Sequence, residues 1–304
     1  MNSEWNSHIR DFELYLRLEK FFSENSIEAY KRDIEKLVDF LNIHEISMPP
    51  QKIELQTLRD FLYWLNMIGI GERSQARIIS GIKAFFSYLW LEKIIKDDPT
   101  ELIEAPRIGK HLPEVLSIQE IDKILAAIDL SNPLGQRNKA IIETLYSCGL
   151  RVSELINLKI SNLYFQEGYI RVIGKGNKER LVPISNKAQR EIQYYREETR
   201  NHITPKKGSE NILFLNKHGK QLTRVMIFTI IKSLVKKTDI KKTVSPHTFR
   251  HSFATHLVDG GADLRSVQDM LGHESITTTE IYTHLDTQHL HNTIMLYHPR
   301  SRKE

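Results

Sequence analysis

At 304 residues, with 40% hydrophobic and 27% charged residues and a mean hydropathy of −0.39, the chain has material for two domains with cores of their own and no composition typical of disorder. No apolar run approaches the ~18 residues of a membrane span, MNSEWNSHIRDFELYL lacks the apolar stretch of a signal peptide, and a lone cysteine, Cys148, excludes an internal disulfide or a cysteine-built zinc cluster, so a cytosolic protein is expected. The net charge of +5 is uneven, with 14 basic and 18 acidic residues in 1–107 against 29 and 20 in 108–304, which assigns any polyanion-facing surface to the C-terminal two thirds.

The first hundred residues predict helices. Phe12, Leu14, Tyr15 and Leu18 recur at helical spacing, and after a break at SENS the stretch IEAYKRDIEKLVDFL carries a stripe of Ile27, Tyr30, Ile34, Leu37 and Leu41. The loop SMPPQKIEL separates these from two further helical patterns, at about 56–68 and 73–95, the second bearing Ile78, Ile79, Ile82, Phe85, Phe86 and Leu89. Four such helices make a small all-α domain. Pro99, Pro106, Gly109 and Pro113 then punctuate DDPTELIEAPRIGKHLPEVLS, residues 97–117, as an interdomain linker.

Ser117 followed three residues later by Glu120 signals a new helix, and another at roughly 134–147 ends at Gly149. YIRVIGKGNKERLVPI reads as a β-hairpin, with Ile170 and Val172 on one arm, Leu181, Val182 and Ile184 on the other and a Gly-Lys-Gly-Asn turn between. NILFLNKHGKQLT is expected as a short strand and turn, after which the chain returns to helices. There is no internal repeat.

The stretch PHTFRHSFATH, residues 246–256, carries three histidines and an arginine. His247 and His251 have the four-residue spacing of two ligands on a zinc-protease helix, but Thr248 stands where that motif has its glutamate base, and Arg250 places a cation between them. An anion suits the site better. With Ser245 as N-cap and Pro246 in the first helical position, His247 falls in the first turn and Arg250 one turn later on the same face, beside backbone N–H groups that favour a phosphate diester. Phe249, Phe253, Ala254 and Leu257 form the buried side, with His251 and His256 structural.

Four other positions, in three stretches, carry no signal when taken singly. In SCGLRVSELINL, Gly149 closes one helix, Ser153 caps the next, and Arg151 lies in the turn beside Glu154, as a surface residue or structural ion pair would. Lys175 is a solvated turn lysine, although its flanking glycines let the backbone approach a ligand. In LRSVQDMLGHESITTTEIYTHLD, Gly272 ends a helix and leaves His273 just beyond it, while Thr277 and Glu280 have capping-box spacing that puts Tyr282 near the start of the next helix.

In chain order, however, an Arg in GLRVSEL, a Lys in a hairpin turn, His-x-x-Arg, Leu-Gly-His and a Tyr nine residues later resemble the tyrosine recombinase (phage integrase) family. Within it, SPHTFRHSFATHLVDGGADLRSVQDMLGHESITTTEIYTH is similar to the Xer-type site-specific recombinases. The resemblance implies a mainly α fold with a small β-hairpin or sheet, built as a four-helix core-binding (SAM-like) domain over 1–105, a linker over 106–116 and a larger α+β catalytic domain over 117–304, together forming a C-shaped DNA clamp. It also implies roles: Tyr282 as nucleophile forming a 3'-phosphotyrosyl link, Arg151 and Arg250 on the non-bridging phosphate oxygens, and Lys175 protonating the 5'-oxygen. His247 would act as acid or base, His273 would hydrogen-bond the phosphate, and Glu154 would position Arg151.

The same resemblance implies no cofactor and no metal. It implies two double-stranded DNA sites joined through a Holliday junction, a homo- or hetero-tetramer with a Xer paralogue, activation by a septal DNA translocase (FtsK-like), and resolution of chromosome dimers at cell division. HLHNTIMLYHPRSRKE, with Ile294, Met295 and Leu296, resembles a tail that docks on a neighbouring protomer. A mobile-element integrase or a type IB topoisomerase with the same chemistry is the alternative. The separate helical domain and the LGH-to-Tyr spacing favour recombination.

Overall fold

Apolar residues every third or fourth position build four N-terminal helices, α1 (Asn2–Leu18), α2 (Glu24–Ile43), α3 (Leu55–Met67) and α4 (Glu72–Leu91). The computed structural model describes residues 2–106, 109, 114–174, 178–272 and 284–301, with side chains from residue 4 onward and, in the last stretch, from residue 289. Lys175, His273, Tyr282 and the Thr277–Glu280 pair lie outside the described residues. The buried face of α1 differs from the expected one: Trp5, Ile9, Phe12 and Leu16 point inward, while Leu14 and Leu18 are exposed. Spacings of four, three and four keep the inward set on one side of a 3.6-residue helix, and α1 is accordingly longer than the stripe around Phe12 implied. These residues join Ile34, Leu37, Phe61, Phe85 and Phe86 in one core.

Backbone contacts divide the chain into two compact units, Met1–His111 and Leu112–Glu304. The second opens with α5 (Ile118–Ala126), whose start is the expected capping box: Ser117 Oγ accepts from the Glu120 N–H at 3.2 Å and Glu120 Oε2 from the Ser117 N–H at 2.7 Å. The helix α6 (Gly135–Cys148) is buried along most of its length and forms the centre of this unit. After the one-turn α7 (Val152–Ile156) come β1 (Leu163–Tyr164), β2 (Tyr169–Ile173) and β3 (Glu179–Pro183), an antiparallel sheet in that order. The hairpin is where the alternation put it, in a register pairing Val172 with Arg180 and Ile173 with Glu179.

The stretch expected as a strand after residue 210 makes only isolated bridges, Lys159 with Ile212 and Leu215 with Gln221. Its carbonyls are taken by buried guanidiniums: Arg200 donates to Glu210, Ile212 and Leu213, and Arg137 to Leu215, so no ladder is needed to satisfy them. The preceding α8 (Asn186–Tyr194), continued by a π turn and a 3₁₀ turn to His202, has no counterpart in the sequence reading. The remaining helices are α9 (Arg224–Val235), α10 (Pro246–Gly260), α11 (Leu264–Leu271) and α12 (His284–Tyr297).

The chain's end, expected to dock on a neighbouring protomer, makes contacts within its own unit. Ile294, assigned to a contact between protomers, is fully buried in the core of its own unit with Leu290, and Arg300 pairs with Asp122 at 2.6 Å on α5. Of Ile294, Met295 and Leu296, it is Leu296, 62% exposed, that faces outward.

Candidate functional site

Gly149 ends α6 with φ +58°, a left-handed conformation, and a Cβ there would sit 2.4 Å from Phe253 Cδ1 on α10. Glycine therefore lets α6 end against α10. Its carbonyl then accepts a hydrogen bond from Arg250 Nη1 at 2.7 Å. The residue that begins α7 is Arg151 itself, extended at φ −68°, and not Ser153 as expected. The reason is Glu154 in the third helical position, whose Oε2 accepts the Arg151 backbone N–H at 2.8 Å, as the glutamate of a capping box does.

That carboxylate organises the site. Glu154, with a side chain 1% exposed, receives Arg151 Nη1 on Oε1 at 3.0 Å, while Arg250 Nη1 lies 4.0 Å from Oε2. A third guanidinium, from Arg180 on β3, forks onto it with Nη1–Oε1 at 2.7 Å and Nη2–Oε2 at 2.9 Å. Burial by itself raises a carboxyl pKa, but the hydrogen bonds and charge of Arg180, with those of Arg151, hold Glu154 below the usual range. Three guanidiniums around one carboxylate leave a net charge of +2. Burial, followed by repulsion from Arg151, pushes Arg250 down to about 10, which still leaves it charged at neutral pH.

The same arginines cap α11. Its last carbonyls have no partner within the helix and carry partial negative charge. Met270 accepts from Arg180 Nε at 2.9 Å, Leu271 from Arg250 Nη2, and Gly272 from Arg151 Nη2 at 3.0 Å. Gly272 adopts the left-handed φ of +64°, and a Cβ there would press on Arg180, with Nε at 3.2 Å.

The start of α10 follows the sequence reading. Ser245 Oγ accepts from the Thr248 N–H at 3.4 Å and Thr248 Oγ1 from the Ser245 N–H at 3.1 Å, so the threonine that replaces the protease glutamate completes a capping box. His247 is exposed in the first turn. Burial of part of its ring, then the charges of Arg250, His251 and Arg151, lower its pKa and keep it neutral at pH 7. His256 is structural, its Nδ1 2.7 Å from the Tyr146 hydroxyl. Among the described residues no three His, Cys, Asp or Glu side chains converge as metal ligands.

Of the predicted site residues, the structure thus brings together Arg151, Glu154 and Arg250, with His247 near enough to feel both arginines. Lys175, His273 and Tyr282 are outside the described residues, but their neighbours are informative. A Cβ on Gly174 would lie 3.6 Å from Glu154 Oε1, and Gly272 touches Arg180. Sequence reasoning missed Arg180. The available signal was the register of β3, where Arg180 shares the inward face with Val182: a charge on a buried strand face demands a carboxylate.

Comparison with known proteins gives a consistent picture. The model of the "Phage integrase family" matches residues 114–289, and that of the "Phage integrase, N-terminal SAM-like domain" matches residues 9–93. The chain is 42% identical over 293 residues to the tyrosine recombinase XerD of Oceanobacillus iheyensis, covering 96% of this chain and 98% of that one. It is 41% identical over 296 residues to the XerD of Listeria innocua, covering 97% and 100%. Among solved structures, the Tn1549 transposon integrase in complex with circular intermediate DNA aligns with a TM-score of 0.70 at 23% identity, over 89% of this chain and 92% of that one. The XerH recombinase in its pre-cleavage complex with difH aligns at 0.66 and 24% identity, over 87% and 78%. At that identity the structural likeness concerns the fold.

Proposed function

The chain belongs to the phage integrase family of tyrosine recombinases, enzymes that cut and rejoin DNA, and from that premise we propose how its residues divide the reaction. The Tyr282 hydroxyl attacks the scissile phosphorus, the bond from phosphorus to the 5'-oxygen breaks, and a 3'-phosphotyrosyl link and a 5'-hydroxyl result. Neutral His247 takes the tyrosine proton, and Lys175 supplies one to the departing 5'-oxygen. Arg151 and Arg250 hold the two non-bridging oxygens, where charge accumulates in the trigonal-bipyramidal transition state. His273 adds a hydrogen bond to the phosphate, and Glu154 orients Arg151. One phosphoester replaces another, so the bond energy is kept for rejoining.

The observation that carries this reading is the pair of guanidiniums, Arg151 and Arg250, set a hundred residues apart in the chain and joined at one buried carboxylate with positive charge in excess. Each has five N–H donors and uses two of its Nη atoms on the protein bonds described above, leaving further hydrogens for a phosphate.

We propose a wider setting as well, supported by membership of the family and by the likeness to XerD proteins. Both units hold duplex DNA, four active sites assemble on two recombination sites, and strands pass through a Holliday junction to resolve chromosome dimers at cell division. The tetramer is homomeric or shared with a Xer paralogue, and a septal translocase activates it. We test the central step on a nicked suicide duplex. Tyr282→Phe is expected to abolish the covalent protein–DNA complex and leave DNA affinity nearly unchanged, while the wild type cleaves in EDTA. Undiminished covalent complex in the variant would remove Tyr282 from this role, and a strict divalent-metal requirement would revive the two-histidine metal site.

A further inference from the structure

We propose that Arg180 is a positioning residue for strand cleavage: by forking onto both oxygens of Glu154 and bonding the Met270 carbonyl, it keeps the Arg151 guanidinium oriented and its charge available to the scissile phosphate. This deepens the tyrosine recombinase reading and rests on it. Arg180 is 7% exposed and has its three described hydrogen bonds inside the protein, so it does not itself meet DNA.

Its position lets it couple three parts of the site. It stands on β3, five residues after Lys175 in the same hairpin, and Gly174, which opens the turn, approaches its Nη1. It bonds Met270 in the last turn of α11, two residues before Gly272, where the chain leaves for His273 and Tyr282. And it satisfies Glu154 on both oxygens, so the carboxylate is compensated before Arg151 is counted. Without Arg180, the buried carboxylate retains Arg151 as its one described partner within hydrogen-bond distance. Arg151 then becomes a closed ion pair, and the excess charge around Glu154 falls from +2 to +1. A purely structural Arg180 would change stability and leave the charge demand of the reaction untouched, which separates the two roles.

The experiment measures single-turnover covalent-complex formation by Arg180→Met and Arg180→Lys on two suicide duplexes, one with an ordinary scissile phosphodiester and one with a methylphosphonate there. The methylphosphonate lacks one non-bridging negative charge and so demands less of the guanidiniums. Arg180→Met is expected to slow cleavage of the phosphodiester by roughly 10- to 100-fold, with DNA affinity within about threefold of wild type. On the methylphosphonate its deficit relative to wild type should shrink to about threefold or less. If Arg180→Met does not fold, Arg180→Lys carries the test: it retains a cation beside Glu154 but not the fork, and its deficit should show the same dependence on substrate charge. Wild-type rates in the variant tested, equal deficits on both substrates, or a rate loss accounted for by lost DNA binding would overturn the inference. If the wild-type protein itself formed no covalent complex, the recombinase reading would fail instead.

Discussion

His247 shows how one residue's surroundings set its chemistry. In the proposed mechanism His247 takes the tyrosine proton and must be neutral at the working pH; partial desolvation of its otherwise exposed ring, then the charges of Arg250, His251 and Arg151, lower its pKa. Its folded-state pKa lies below the ordinary value of about 6.5, so the protonated, inactive form accumulates only on the acid side of that value. The rate of covalent-complex formation is therefore expected to hold steady from pH 8 through pH 7 and to fall with a midpoint below about 6.5. His247→Gln should remove that limb. A midpoint at or above the ordinary histidine value, or a limb that survives the substitution, would assign the titration to another group. At this scale the phosphate-facing start of the His247 and Arg250 helix was legible from its own motif, whereas Arg151 and Glu154 gained meaning only from the order of motifs along the chain. Arg180 was not legible, because its meaning depends on a carboxylate 26 residues earlier in the chain and on a strand register that no local motif encodes.

The helix α12 poses a question about an element, namely what holds the segment that follows Tyr282. Leu290 and Ile294 seat it in the core, and beyond its end the fully buried His298 packs against Tyr146 and Phe253 with ring centroids 4.8 and 5.4 Å apart. Burial, with Arg300 and His256 nearby, drives the His298 pKa down to about 3, so it is neutral when docked. The sign of the linkage follows. The unfolded chain binds a proton at His298 below about pH 6.5 and the folded chain does not, so its contribution is complete above that pH and is lost on acidification towards 3. Between pH 7 and 5 the loss amounts to about 2 kcal/mol. Urea midpoints of the wild type should fall accordingly across that range, and those of His298→Phe should fall less by about this amount. Parallel curves for the two proteins would show that His298 is not the titrating group.

Elements as a class were legible in proportion to their periodicity. The apolar stripes of α2, α3 and α4, the capping box of α5 and the alternation of β2 and β3 are local signals, and they located their elements. β1 has two residues, too few for a pattern, and α8 is followed at once by a π turn, so its period breaks. The apolar run at 212–215 has strand-like composition, but Arg200 and Arg137 occupy the carbonyls a ladder would use. In that stretch side chains distant in sequence overrode local preference.

At the scale of the whole molecule, a tyrosine recombinase is set apart from a type IB topoisomerase that shares its chemical steps. In the proposed mechanism a type IB enzyme relaxing one duplex and a recombinase exchanging two would both use Arg151, Lys175, Arg250 and Tyr282, so no substitution at the site separates them. What separates them is assembly: exchange requires four active sites on two duplexes, with the 5'-hydroxyl released by one strand attacking the phosphotyrosine of another. The charge distribution fits DNA held chiefly by the C-terminal two thirds of the chain, with residues 108–304 at 29 basic to 20 acidic and residues 1–107 at 14 to 18. Mapping covalent junctions across the host chromosome is expected to return one dominant locus. Two differently labelled duplexes carrying that locus should then yield joint molecules and recombinant strands, and a pair in which one locus is scrambled should not. Relaxation of a supercoiled circle without recombinant strands would instead favour the topoisomerase. The discriminating quantity is the fraction of cleaved strands rejoined to a new partner, because a single clamp that lets one strand swivel always returns each end to its own.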